Sequence, residues 1–129
     1  MNADVSRDSL NELSRVVIGA GHAVSNALGC GFVEKVYENA LALELRWAGL
    51  QVVQQRPVEV RYKTEIVGQY LADLLVNEVL IVELKAAPCV LGVHHAQCLN
   101  YLRATGLRLG LLLNFGRPRL EVHRVVCKF

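Results

Sequence analysis

The sequence has no long uncharged hydrophobic run, although 53% of its 129 residues are hydrophobic. A helix that spans a bilayer needs about 20 such residues in succession. Residues 1–15, MNADVSRDSLNELSR, also lack the apolar core of a signal peptide. We therefore expect a cytoplasmic protein that has no membrane partner.

An excess of charge of either sign is also missing. The formal net charge is +2, which neither identifies a nucleic-acid-binding protein nor excludes one. The chain contains no repeat, no low-complexity tract and no linker. A chain of this length is expected to form a single domain, residues 1–129, around one core.

The four cysteines have no CxxC spacing. They lie in apolar company, which favours reduced thiols packed in a core over disulfide bonds or a zinc site. One alternative zinc-ligand set stays open, although its spacing is not a standard one. It consists of Cys89, His94, His95 and Cys98, which leaves Cys30 and Cys127 outside it.

Three ionisable residues border the most hydrophobic strand candidate, residues 80–82. Asp73 precedes this strand across a predicted turn at residues 77 and 78, and Glu83 and Lys85 follow it directly. In a strand, residues 83 and 85 lie on one face, roughly 7 Å apart. A Glu83–Lys85 ion pair at the solvated end of a strand is one interpretation.

A metal site is the other interpretation of this stretch. Two carboxylates about 4 Å apart repel each other by roughly 4 kcal/mol at an effective dielectric constant of 20. A site that holds Asp73 and Glu83 together therefore requires a cation between them. Magnesium suits such an oxygen-rich and partly hydrated site.

The length of the intervening loop decides whether the two carboxylates meet. A strict two-residue loop would pair Asp73 with Val82 and turn Glu83 to the opposite face of the sheet. A three-residue loop or a bulge shifts the pairing by one residue and brings Asp73 opposite Glu83. Asn77 tolerates the left-handed conformation that such a loop often needs. We predict the shifted pairing.

The remaining pattern predicts helices and strands in a definite order. A capping box at residues 9–12 opens a helix that Gly29 ends, and a second helix covers residues 33–48. The predicted strands cover residues 52–55, stopped by Pro57, then 58–62 and 66–76. A helix over residues 93–105 and strands over 107–113 and 120–126 complete the chain. The glycines of residues 29–34 do not form a dinucleotide-binding loop, because they follow a helix and lack the third glycine.

Polar residues on two predicted helices are further candidates for a site. Glu34 heads a row of otherwise apolar residues that includes Tyr37, although an acidic residue near a helix N-terminus is also explained by the helix dipole. Gln97 and Tyr101 are four residues apart and therefore share a helix face. A surface Gln beside a half-buried Tyr is the alternative.

Basic residues also lie in the predicted strands after Gly49. Arg56, Arg61 and Lys63 have the charge to contact phosphates, although a solvated strand face also explains them.

Together these segments resemble the GxxExxY proteins, a family placed in the PD-(D/E)xK nuclease superfamily. The naming motif is GFVEKVY at residues 31–37, followed by ENAL. The other matching segments are YLADLLV at 70–76, IVELK at 81–85, HHAQCLNYL at 94–102 and TGLRLGLLLNFG at 105–116. The chain departs from the family at Cys30, where proline is expected.

The resemblance implies an α/β fold of the restriction-endonuclease-like type, with a mixed central β-sheet flanked by helices in the order αβββαβ. It implies metal-dependent hydrolysis of phosphodiester bonds in DNA or RNA, so nucleic acid is the expected partner. The catalytic residues that it implies are Asp73, Glu83, Lys85 and Glu34. Of these, Asp73, Glu83 and Glu34, with the Leu84 carbonyl, would hold Mg²⁺ or Mn²⁺.

The resemblance also implies roles for the other polar residues. Lys85 would orient or deprotonate the attacking water. Gln97 and Tyr101 look like the QxxxY element of related exonuclease-type proteins, which supports the site or the substrate phosphate, and Tyr37 of the naming motif would also support the site.

A different class of function stays open beside the nuclease. The same fold with little or no catalysis would serve as a nucleic-acid-binding or protein-interaction module. Because the chain is small and its charge modest, specificity would then come from a protein partner or from a second copy in a homodimer. A small-molecule enzyme that uses the acidic pocket has no positive feature in the sequence.

Overall fold

A five-stranded β-sheet with helices on both faces forms the framework of the computed structural model, which describes residues 5–128. The elements are α1 (Arg7–Leu28), α2 (Glu34–Trp47), β1 (Val52–Tyr62), β2 (Glu65–Val76), β3 (Leu80–Lys85), α3 (Gly92–Thr105), β4 (Leu109–Asn114) and β5 (Glu121–Val126). The strands lie side by side in chain order. Strands β3 and β4 are parallel, and the other neighbours are antiparallel. The predicted restriction-endonuclease-like α/β fold is confirmed.

The parallel pair lies at the centre of the sheet, and its sequence explains its position. All six residues of β4 are buried, and five of the six in β3 are. Parallel strands need a crossover connection, and α3 supplies it between β3 and β4. Near-continuous runs of Leu, Ile and Val are typical of strands that are covered on both faces.

The alternation of side chains along β3 divides the core into two layers. Leu80, Val82 and Leu84 pack with α1 and α2 on one face of the sheet. Ile81 packs with Cys98, Tyr101 and Leu102 of α3 on the other face. Residues 83 and 85 share the parity of Ile81, so Glu83 and Lys85 belong to the α3 face, as the strand spacing predicts.

The β1–β2 hairpin is longer than expected, and β1 does not end before Pro57. It continues without a break to Tyr62, with Pro57 opposite Leu71. The prediction that Pro57 stops the strand was wrong because β1 lies at the edge of the sheet, where a residue without an N–H group is tolerated.

Two further sequence predictions need correction. The N-cap of α1 is Ser6 instead of Ser9, since the Ser6 hydroxyl accepts a hydrogen bond from the Ser9 backbone N–H at 3.1 Å. The packing of cysteines in the core holds for Cys98 and Cys127, whereas Cys30 and Cys89 are exposed. Within residues 5–128, no helix has the length and apolarity required to cross a membrane.

Candidate active site

The loop between β2 and β3 has three residues and sets the register of the site. Its flanking pairs are Leu74–Val82, Leu75–Ile81 and Val76–Leu80. Asn77 and Glu78 adopt positive φ angles of 50° and 61°. The predicted shifted pairing is therefore confirmed, and the same register places position 73 opposite position 83.

Beyond Leu74 and Val82, the carboxylates of Asp73 and Glu83 each accept a hydrogen bond from a backbone N–H of the opposite strand. The backbone N–H of Asp73 donates to Glu83 Oε1 at 3.3 Å. The backbone N–H of Leu84 donates to Asp73 Oδ2 at 2.8 Å. Each carboxylate thus takes the place that a backbone carbonyl would have in the hydrogen bonding between two strands. These two hydrogen bonds hold the acidic groups close together.

This convergence places Glu83 in an unfavourable electrostatic environment. Its side chain is buried, and burial, together with the neighbouring carboxylate of Asp73, raises the pKa of Glu83 from 4.5 to about 9. The positive charge of Lys85 opposes this increase but does not cancel it. A cation between the carboxylates would relieve the same repulsion.

A second buried acidic residue, Glu38 of α2, is connected to Asp73 through Gln55. Gln55 Nε2 donates to Glu38 Oε1 at 2.7 Å and to Asp73 Oδ1 at 3.4 Å. Glu38 Oε2 accepts from Lys35 Nζ at 2.9 Å and from Gln54 Nε2 at 2.8 Å. The helix dipole explains an acidic residue near a helix N-terminus but does not predict this network.

The backbone of Gln55 explains how its side chain bridges two elements. Its φ is 56°, an uncommon conformation for a residue other than glycine, and it lies in β1 between residues that pair with β2. Strained backbone of this kind concentrates at functional sites, where surrounding contacts stabilise it. Here the surrounding contacts are the hydrogen bonds to Glu38 and Asp73.

The two site candidates of the naming motif lie in different environments. Glu34 is exposed at the start of α2, and within residues 5–128 it makes no hydrogen bond to Asp73 or Glu83. Its role as a metal ligand stays a prediction. Tyr37 is fully buried, so it does not contact substrate: its hydroxyl donates to the Gly29 carbonyl at 2.6 Å and accepts from the Phe32 N–H at 3.2 Å. Tyr37 thus fixes the loop that precedes α2, and its role in supporting the site stays a prediction.

Lys85 ends β3, and a buried asparagine fixes the loop that follows it. Asn114 accepts a hydrogen bond from the Ala87 N–H at 3.0 Å and donates one to the Ala87 carbonyl at 2.9 Å. The Lys85 carbonyl accepts from the Phe115 N–H at 2.8 Å. Gly116 lies directly against the Ala87 backbone, which leaves no room for a Cβ atom. The backbone around Lys85 is therefore held firmly, while its half-buried side chain forms no salt bridge with residues 5–128.

Gln97 and Tyr101 line one groove, as their spacing on α3 predicts. Tyr101 is buried, and its ring centroid lies 5.8 Å from that of Tyr70. Burial and the nearby charges of Glu83 and Asp73 raise the pKa of Tyr101 to about 12. Its hydroxyl therefore remains a hydrogen-bond donor over the physiological pH range, close to the carboxylate pair.

The donor set at this site fits a hard divalent cation. Asp73 and Glu83 supply carboxylate oxygens, and Leu84, whose N–H binds Asp73, carries the adjacent carbonyl. Magnesium is commonly bound by one or two carboxylates, with waters and substrate phosphates as the other ligands. Within residues 5–128, no three His, Cys, Asp or Glu side chains cluster to hold a metal. The alternative zinc set is therefore not assembled.

Comparison with known proteins gives one match. Residues 11–125 match the family model described as the PD-(D/E)XK nuclease superfamily. No curated protein and no solved structure matches the chain.

Proposed function

Because the chain belongs to the PD-(D/E)XK nuclease superfamily, we propose that it hydrolyses phosphodiester bonds of DNA or RNA with Mg²⁺ or Mn²⁺ as cofactor. The observation that carries this proposal is the pair of hydrogen bonds across β2 and β3, from the Asp73 N–H to Glu83 and from the Leu84 N–H to Asp73, which holds two carboxylates together beside Lys85. A structural role alone does not account for this pair, because burying the ionised carboxylate of Glu83 beside the half-buried carboxylate of Asp73 is costly without a cation.

The carboxylates of Asp73 and Glu83 and the Leu84 carbonyl would hold the metal ion. When bound, the ion would lower the pKa of a water molecule and neutralise charge on the phosphodiester. Gln55 keeps the Asp73 carboxylate in place by donating to Oδ1, which leaves the orientation of Asp73 tied to Glu38 of α2.

Lys85 and the α3 residues act on water and substrate. Lys85 lies on the same strand face as Glu83, so its amine is available to orient the attacking water or to accept its proton. The Tyr101 hydroxyl and the Gln97 amide are the neutral donors on the groove side, where a substrate phosphate would approach. Glu34, exposed one helical turn before Glu38, would add a ligand only by turning toward the ion.

Cleavage assays with purified variants test this function. Labelled single-stranded and double-stranded DNA and RNA are incubated with the protein in Mg²⁺, in Mn²⁺ and in EDTA. Asp73→Asn and Lys85→Met each reduce the cleavage rate by about 100-fold or more, since the first removes a ligand of the metal ion and the second removes the group that acts on the attacking water. Asp8→Asn, on the exposed surface of α1, is the matched control and cleaves like the wild type.

Two outcomes contradict the proposal. Cleavage that survives both substitutions would come from another site or from a contaminating nuclease. Metal-independent binding of nucleic acid by the wild type, without cleavage of any of the four substrates, would instead assign the chain to the catalytically inactive binding modules. Circular dichroism of each variant confirms that the fold is intact.

A further inference from the structure

A groove of about 890 Å³ lies between α3 and the β1–β2 hairpin. One wall is formed by β1 from Arg56 to Arg61 together with Tyr70 of β2, and the other by α3. Tyr101 lines the groove and is close enough to Glu83 and Asp73 to respond to their charges. Tyr101 also packs in the same core layer as Ile81, on the sheet face that carries Glu83, so the groove and the Glu83 carboxylate lie on the same face of the sheet.

The groove carries more positive than negative charge. Arg56, Arg61 and Arg103 line it, whereas Glu59 is its one acidic residue. Glu59 is paired with Arg61 at 3.0 Å. The other two guanidinium groups are near neutral oxygens at 3.5 Å: Arg56 at the Pro57 carbonyl and Arg103 at the Asn100 amide. Such long contacts are weak, so both groups can exchange them for the stronger bidentate contact with a phosphate.

The groove also presents an aromatic ring to solvent. Tyr70 is 49% exposed, and its ring packs at a tilt against the buried ring of Tyr101, with 5.8 Å between the ring centroids. Gln97 and Asn100 on α3 are within the same groove and carry both donors and acceptors. An exposed aromatic face beside amide side chains is typical of proteins that stack and hydrogen-bond unpaired bases.

These features of the groove favour the binding of a single strand over the binding of a duplex. Duplex binders neutralise many phosphates over a broad surface, while this groove offers two arginines, Arg56 and Arg103, that have no carboxylate partner among residues 5–128, and the chain has a net charge of +2. Its volume is within the range of roughly 300 to 1,000 Å³ that encloses small ligands. A base inside a duplex has both faces covered by its neighbours and is not available to Tyr70.

We propose that this groove binds single-stranded nucleic acid, with a base stacked on Tyr70 and backbone phosphates against Arg56 and Arg103. The inference deepens the proposed function, because the bound strand would reach the Asp73–Glu83 pair. It does not depend on catalysis, since none of the three binding residues belongs to that pair.

Binding is measured by fluorescence anisotropy in EDTA, with the Asp73→Asn protein so that no substrate is cleaved. The probes are labelled single-stranded oligonucleotides of DNA and of RNA, and the matched DNA duplex. We expect Tyr70→Ala to weaken binding of a single strand about 10-fold or more, from the loss of one stacked base. Tyr70→Phe retains the ring and restores the affinity. Tyr62→Ala, an exposed tyrosine outside the groove lining, is the matched control and binds unchanged.

The arginines are tested through salt dependence. Each phosphate contact on a single strand contributes about 0.7 to the slope of log K against log salt concentration, so Arg56→Ala and Arg103→Ala each reduce that slope by about this amount. Arg15→Ala on α1 leaves it unchanged. The proposal is overturned by unchanged affinity of Tyr70→Ala, by a duplex that binds as tightly as the single strand, or by no binding of either single strand. If the protein binds single strands through Tyr70 but cleaves no substrate, the proposed nuclease activity is refuted and the proposed binding groove is retained.

Discussion

Replacing Glu83 by glutamine should make the metal-free protein more stable at alkaline pH. Burial and Asp73 raise the pKa of Glu83 to about 9 in the fold, against 4.5 for the free side chain. A folded-state pKa above the unfolded value means that the folded state binds more protons between these two values. The contribution of Glu83 to the stability of the metal-free wild type is therefore greatest below about pH 4.5 and falls as the pH rises toward 9.

The size of the effect follows from the same two pKa values. Each pH unit between the two pKa values changes the free energy of unfolding by about 1.4 kcal/mol. Glu83 therefore lowers the free energy of unfolding at pH 8 by at most about 5 kcal/mol relative to acid pH. Relaxation around the charged side chain reduces this, and we expect a gain on the order of 2 to 4 kcal/mol for Glu83→Gln. Glutamine keeps the acceptor for the Asp73 N–H and adds a donor toward the Asp73 carboxylate.

Urea unfolding in EDTA at pH 5 and pH 8 measures the effect, with Glu65→Gln on the exposed start of β2 as the matched control. The wild type loses stability between the two pH values more steeply than Glu83→Gln does. Adding Mg²⁺ at pH 8 stabilises the wild type, because the folded state binds the ion and the unfolded state does not. The variant is not stabilised, because it has lost one of the two carboxylate ligands. Parallel pH profiles for wild type and variant would refute the reasoning.

Two further substitutions test the supports of the site. Asn114→Ala leaves the partly buried N–H and carbonyl of Ala87 without the Asn114 side chain as partner and should lower the free energy of unfolding by about 1 to 3 kcal/mol, measured by urea unfolding. A change under about 0.5 kcal/mol would show that the loop after Lys85 is held by other contacts. Tyr37→Phe loses the hydrogen bond to the Gly29 carbonyl and should cost about 1 to 2 kcal/mol while KM for nucleic acid stays unchanged. An increased KM in Tyr37→Phe would show that this buried tyrosine also affects substrate binding.

The centre of the site could be predicted from sequence because it depends on local rules. The parity of a strand and the length of one loop determine whether Asp73 meets Glu83, and Asn77 indicated the loop that brings them together. The shared face of Gln97 and Tyr101 follows from helix geometry in the same way. Neither inference requires knowledge of a distant part of the chain.

The outer part of the site depends on contacts between distant elements. Gln55 reaches Glu38 and Asp73 because its backbone departs from the strand conformation, and no feature of the residues around it indicates that departure. The motif drew attention to Glu34, whereas the buried carboxylate is one helical turn later, where α2 packs against β1. Pro57 was misjudged for a similar reason, since its tolerance depends on β1 being an edge strand.

We propose that Asp73 and Glu83 bind a divalent cation between their carboxylates. Anomalous diffraction from crystals soaked in Mn²⁺ tests it most directly, because manganese is located without reference to activity. We expect an anomalous peak between the two carboxylates, at about 2.2 Å from their oxygens, and no such peak in Asp73→Asn crystals. Soaked wild-type crystals with no anomalous density at this pair would contradict it.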